Sequence, residues 1–155
     1  MSLVIAFGIR LLLVALFLPF SAMDKIVNFR GAVGQAGEIA PSRTLARALI
    51  FAGLAVEIVM SLGVLTGVAD RMAALVLAGY CMATAVLWKR FWAQGDFAFT
   101  GPSKGRDLFW DFLKNFALAG GFLLVTFGTT AASVDRFFAD PFGSTHPYSL
   151  AETQP

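Results

Sequence analysis

One histidine and one cysteine occur in a chain of 155 residues, and only 14% of the positions are charged. Each scarcity removes a class of chemistry. With Cys81 alone there is no internal disulfide and no multi-thiolate metal site. Membrane haem is ordinarily held by paired histidines or comparable ligands, and a single His146 in a polar tail does not supply them. Zinc and iron–sulfur centres need several Cys or His donors, and no nucleophile has a histidine base within the apolar segments. The reading is therefore of no assigned catalytic residue, no metal site and no cofactor bound by ligation or covalently. The net charge is +2, and the basic residues flank apolar runs instead of forming a stripe, which argues against nucleic acid as a partner.

What the chain has in plenty is apolar surface: 57% of its residues are hydrophobic, and the mean hydropathy is +0.73. That balance lies outside the range of water-soluble domains and makes lipid the solvent. The length fits four spans of roughly 20 residues with their loops. The expected fold is all-α, an integral membrane bundle of four transmembrane helices in a single domain covering residues 1–155. The expected spans are about 3–22, 45–68, 72–92 and 108–129, followed by a polar, water-exposed tail over 131–155.

The first apolar stretch lacks a basic leader and contains Arg10, so it reads as a retained helix and not as a secretory signal. Pro19 near its end marks a kink or stop. Residues 28–44, with Gly31, Gly34, Gly37 and Pro41, read as a loop with at most one short surface helix. Asp70 and Arg71 leave room only for a tight hairpin, which makes spans two and three antiparallel neighbours. Trp88, Phe91 and Trp92 at the end of span three, with Trp110 at the start of span four, are the expected anchors at one membrane interface. Small residues at four-residue spacing, Gly63 with Gly67, Gly79 with Ala83 and Ala117 with Gly121, are expected to pack helices closely.

Lys25, Arg30, Arg43, Arg47, Lys89, Arg90, Lys104 and Arg106 fall on the side of the two longer loops. Arg71 and Arg136 are the basic residues outside the helices on the other side. The positive-inside rule then places both termini on the periplasmic or outer side of a prokaryotic inner (cytoplasmic) membrane, in a multi-pass protein.

An ionisable group inside a bilayer costs roughly 2.5–3.5 kcal/mol on insertion scales, so it normally faces the bundle interior with a partner. Arg10 and Glu57 are the clearest such groups. Arg10 lies roughly 10 Å below the side of the termini, and Glu57, on a helix of opposite direction, comes to a similar depth, so the two are expected to pair. A second group gathers near the loop side: Asp24 and Lys25 close span one, while Asp111, Lys114 and Asn115 open span four on one helix face. Both groups read either as ion pairs that hold helix register or as an intramembrane polar site for a headgroup or protons. The 16 phenylalanines supply core and lipid contact, or the walls of a slot for a quinone ring.

Several patches together resemble the DoxX family of small four-helix membrane proteins. They are Gly8-Ile9-Arg10-Leu11-Leu12, Phe20-Ser21 followed by Asp24-Lys25, Glu57, Leu65-Thr66-Gly67 before Arg71, Phe91-Trp92, and Asp111-Phe112-Leu113-Lys114-Asn115-Phe116-Ala117-Leu118 before Gly120-Gly121. The resemblance covers about residues 5–128. It departs from the family pattern at Arg90, where many members have histidine, and at Asp111, where glutamate is frequent. The resemblance implies quinone-linked respiratory chemistry as a common theme, while a shared fold does not by itself transfer an activity.

The leading expectation is an accessory subunit of a respiratory or other electron-transfer membrane complex, without its own redox cofactor. Its expected partners are membrane lipid and other membrane subunits, with a quinone or structural lipid as a possible bound molecule. One alternative is a quinone-binding subunit of a thiosulfate:quinone-type oxidoreductase, with Arg10, Glu57, Asp111 and Lys114 on the headgroup. The other is a small carrier or proton path.

Overall fold

A computed structural model describes residues 1–149, and residues 150–155 of the expected tail lie outside the described range. The described chain is helical, with no strand. Helix α1 spans Ser2–Val14, and a π-turn over Leu16–Ser21 leads directly into α2, Ala22–Val27. Pro19 explains the π-turn. It has no N–H to donate, and the ladder re-forms with the Ala22 N–H on the Phe17 carbonyl, five residues back. The two halves bend by 42° at this point.

A short helix α3, Phe29–Ala36, follows and packs against α4, Arg43–Thr66, through Val33, Ala36 and Ala46. The Ser42 side chain caps α4 by accepting from the Leu45 N–H at 3.2 Å. The helix ends at Gly67, whose φ of +79° suits a residue without a Cβ and lets the chain reverse. Helix α5, Asp70–Trp88, starts three residues later, so the tight hairpin expected between the second and third apolar segments is present.

Helix α6, Lys104–Phe127, begins four residues before the apolar stretch that announced it. Ser103 accepts from Arg106 N–H, and the Asp96 carboxylate accepts from Lys104 N–H at 2.6 Å and Gly105 N–H at 3.0 Å. These contacts satisfy donors that a helix start leaves unpaired. They also favour the ionised carboxylate and hold Asp96 below the ordinary carboxylate value.

Among the described residues, three helices are long and apolar enough to cross a membrane: α4, α5 with its short continuation to Ala93, and α6. The bent pair over 2–27 makes a fourth if it is taken as one span. The chain is thus an all-helical, multi-pass membrane protein. The most extensive helix contact is α5 on α6. Small side chains permit it, with Ala73, Ala74, Ala78 and Ala119 in the core beside Leu77 and Phe122. Among the small pairs, a Cβ on Gly63 would come within 2.9 Å of Ala73, and one on Gly121 within 2.9 Å of Leu13. Gly79 faces open space, so the Gly79–Ala83 pair is not a packing seam within the chain.

The tail departs from the water-exposed segment expected. At its start, helix α7, Ala131–Ala139, buries Phe137 against Phe127 with ring centroids 4.9 Å apart. The chain then crosses back over the α4–α5 hairpin. Pro147 lies against Gly67, and the Tyr148 hydroxyl donates to the Leu65 carbonyl. The last turn of an apolar helix leaves carbonyls without donors, and the returning strap supplies one. His146 is exposed on that strap.

Candidate functional site

Two polar clusters lie in the apolar interior, one toward the hairpin end and one toward the end bearing the longer loops. At the hairpin end, the Arg10 guanidinium pairs with Asp70 at 2.7 Å and donates to the Val64 carbonyl at 2.5 Å and the Thr145 hydroxyl at 2.6 Å. Asp70 is fully buried and uses both oxygens: Oδ1 accepts from Thr145 N–H at 2.9 Å, and Oδ2 accepts from Arg10 and the Thr145 hydroxyl.

The expected Arg10–Glu57 pair does not form. A helical Cα–Cβ bond tilts toward the N-terminus of its own helix. Arg10 on α1 therefore leans toward the hairpin end, while Glu57 on the oppositely directed α4 leans toward the loop end. Similar Cα depth does not bring the two charges together, because their side chains diverge.

Glu57 instead meets Lys25, whose Nζ lies 2.6 Å from Glu57 Oε1. Lys25 leans back into the bundle by the same tilt and also donates to Ser21 Oγ, one turn earlier, at 2.6 Å. Ser21 Oγ and the Tyr80 hydroxyl each donate to the same Oε1 at 3.0 Å. Glu57 is 1% exposed, and its second oxygen, Oε2, has no hydrogen-bond partner. Gly53, one turn before Glu57, leaves room for Tyr80: a Cβ there would stand 3.0 Å from the hydroxyl.

Glu57 lines a half-open cavity of about 760 Å³ between the π-turn, α2, α3, α4, α5 and α6. Apolar walls come from Phe17, Ile50, Val56 and Leu118, and the polar lining includes Lys25, Tyr80 and Asn115. Lys89 and Asp111, paired at 3.1 Å, lie on the lining too, and Lys114 reaches Asp111 at 3.4 Å. Asn115 donates to the Asp111 carbonyl at 2.9 Å.

The sequence-selected residues thus separate. Lys25, Glu57, Asp111, Lys114 and Asn115 share the cavity, and Arg10 belongs to the hairpin end. Asp24 belongs to neither; it is exposed and takes the Asn28 amide at 2.6 Å. The i, i+3, i+4 face of Asp111, Lys114 and Asn115 does border the cavity, yet Lys114 itself is largely exposed. Of the aromatic anchors, Trp88 donates its indole N–H to the Gln35 carbonyl of α3 at 3.2 Å and lines the cavity. Phe91 gathers Trp92, Phe97, Phe109 and Phe112 around it within 6.1 Å, and Trp110 stands against Phe109 at 5.6 Å, half exposed.

The model of the DoxX family matches residues 5–90, more than half of the chain. The chain belongs to the DoxX family. Searches of curated proteins and of solved structures return no match. The DoxX match contains Arg10, Ser21, Lys25, Glu57, Asp70 and Tyr80, so the charged cores of both clusters lie within the family region. It stops at the end of α5. The Asp111–Asn115 side of the cavity and the Thr145 strap are outside it, as is the part of the resemblance that reaches about residue 128.

Four contributors to the clusters escaped the sequence reading of this DoxX chain: Asp70, Ser21, Tyr80 and Thr145. Asp70 carried a signal, since an acidic residue beside an apolar hairpin has the same desolvation cost as Arg10 and needs the same kind of partner. Ser21 also carried one, lying one turn before Lys25 on the same face. Tyr80 and Thr145 carried none, being single polar residues in an apolar run and in a loop.

Proposed function

We propose that this DoxX protein is a membrane subunit of a respiratory or other electron-transfer complex, and that its loop-end cavity holds a quinone-class headgroup while other chains carry the redox centres. The observation behind this reading is the cavity itself, about 760 Å³ in size and bounded by apolar side chains, with the Lys25–Glu57 pair, Ser21 and Tyr80 among its few polar lining residues. Small-molecule sites typically run from about 300 to 1,000 Å³, with apolar walls and a few placed polar groups. A quinone divides in the same way: Phe17, Val56 and Leu118 suit its ring and isoprenoid tail, and Lys25 and Glu57 suit its oxygens.

When bound, the quinone supplies two-electron redox capacity that the protein side chains lack. The chain's own residues orient its headgroup and exclude water from it. In this reading the bent pair over 2–27 is one span, which makes a four-helix bundle, and the loop end faces the cytoplasm of a prokaryotic inner membrane. Lys25, Lys89, Lys104 and Arg106 at that end support the orientation.

The test is gentle extraction of the native membrane assembly into nanodiscs, with native mass analysis and a lipid inventory. Co-migration with a haem- or flavin-bearing subunit, and retention of quinone, are the expected results. A lone oligomer with neither redox partner nor quinone would overturn the reading.

A further inference from the structure

Helix α3 has a second face that the loop-end cavity does not use. Val33 and Ala36 turn inward onto Ala46 of α4, while Arg30, Gly34 and Gly37, at i, i+4 and i+7, share the adjoining face. That face and the start of α4 border a groove of about 420 Å³, with Arg30, Arg43 and the Ala40–Pro41–Ser42 turn on its lining. No acidic side chain lines it. Among the described residues neither guanidinium has a carboxylate partner, and nor does that of Arg47, one turn beyond Arg43 on α4. Gly34 keeps the groove open. A Cβ there would meet nothing within 4 Å, so the missing side chain leaves space beside the two arginines.

Two uncompensated cations in a groove at the loop end attract an anion, and the fork of a guanidinium matches the oxygens of a phosphate. The helix beneath them says which phosphate. Arg43, Arg47 and Phe51 recur at i, i+4 and i+8 on one face of α4, which runs from the loop end into the apolar bundle. Phe51 is 60% exposed, with its ring against that of Phe29 at 5.2 Å. Cations at the helix start and an exposed aromatic pair about 12 Å further in suit an amphiphile, charged at one end and apolar at the other. A free phosphate would use only the charged end. We propose that the α3–α4 groove binds the headgroup of an anionic phospholipid, with Arg30 and Arg43 on its phosphate and an acyl chain laid along Phe51. The site is independent of the quinone reading.

The full-length protein is placed in phosphatidylcholine nanodiscs doped with phosphatidylglycerol, and the lipid retained on release is counted by native mass analysis. Phosphatidylglycerol should be retained at least about tenfold over phosphatidylcholine, the effect of two basic contacts at a bilayer surface. A photoactivatable phosphatidylglycerol should label residues 29–51 and be competed by the unlabelled lipid, but not by inorganic phosphate. Gly34→Leu keeps every charge and fills the groove, so it should reduce the preference to within about threefold. Arg30→Gln combined with Arg43→Gln should do the same. All three positions are exposed, and the competition uses the unaltered protein. Undiminished preference in Gly34→Leu, or label scattered to Lys89, Lys104 and Arg106, would mean diffuse charge attraction and overturn the groove. Competition by inorganic phosphate as effective as by the lipid overturns the phospholipid assignment, and equal retention of the two lipids overturns the proposal outright.

Discussion

Asp70 at the hairpin end has both carboxylate oxygens engaged and holds an Arg10 that bonds three partners, while Glu57 at the loop end takes three donors on one oxygen and none on the other. Both are buried acids paired with a base in an apolar surround. A buried pair that is fully hydrogen-bonded fixes geometry and has nothing left to offer a ligand. The Lys25–Glu57 pair leaves one oxygen without a donor and borders a cavity. The hairpin-end pair also clips three distant pieces of chain together, since Thr145 and Tyr148 bring the tail onto the α4–α5 hairpin. The loop-end pair joins the bent segment to α4 and leaves space beside it. On the proposed reading, the first cluster is a fastening and the second a site.

The largest effect that would sharpen this contrast is expected from Asp70→Ala. It strands a buried guanidinium and should cost about 3–5 kcal/mol, read as a large fall in thermal midpoint in nanodiscs. Glu57→Gln should differ in kind. Lys25 is 19% exposed along its side chain and can reach toward the interface, so the stability loss should be about 1 kcal/mol while affinity for a short-tail quinone drops about tenfold. Equal destabilisation by the two substitutions, with ligand binding untouched, would erase the distinction between the clusters.

Tyr148→Phe removes the strap's bond to the Leu65 carbonyl and should cost about 1 kcal/mol without changing affinity at the loop end. Parallel melting and titration of that variant provide the check. The smallest effect concerns the start of α6. Asp96 has its carboxyl held below the ordinary value of about 3.9, so its folded-state value is lower than its unfolded one. The stabilisation it contributes is complete above about pH 4 and is lost as pH falls through the folded value. Asp96→Asn should therefore flatten the acid limb of a helix-content titration below about pH 4 and leave neutral pH nearly unaffected.

The sequence made the helices readable for a simple reason: long apolar runs bounded by Gly67, Asp70 and the Trp88–Trp92 cluster allow little else in lipid. Arg10 and Glu57 stood out through the cost of burying charge. Their partners did not, because Cα depth along two antiparallel helices omits the direction in which each side chain leans. The early start of α6 was hidden in a Gly- and Pro-containing loop, where Asp96 and Ser103 do the capping from positions that show no periodicity. The strap was hidden for the same reason. A polar segment that docks through one hydroxyl and one tyrosine looks like any solvated tail.

Photo-crosslinking with an azido-quinone in nanodiscs, followed by peptide mapping, tests the central claim most directly. The account predicts label on the Leu16–Lys25 stretch and on the Tyr80–Trp88 part of α5, competed away by unlabelled quinone and reduced in Glu57→Gln. Label spread over the lipid-facing surface without competition, or concentrated around Asp70 and Thr145 at the hairpin end, would contradict it.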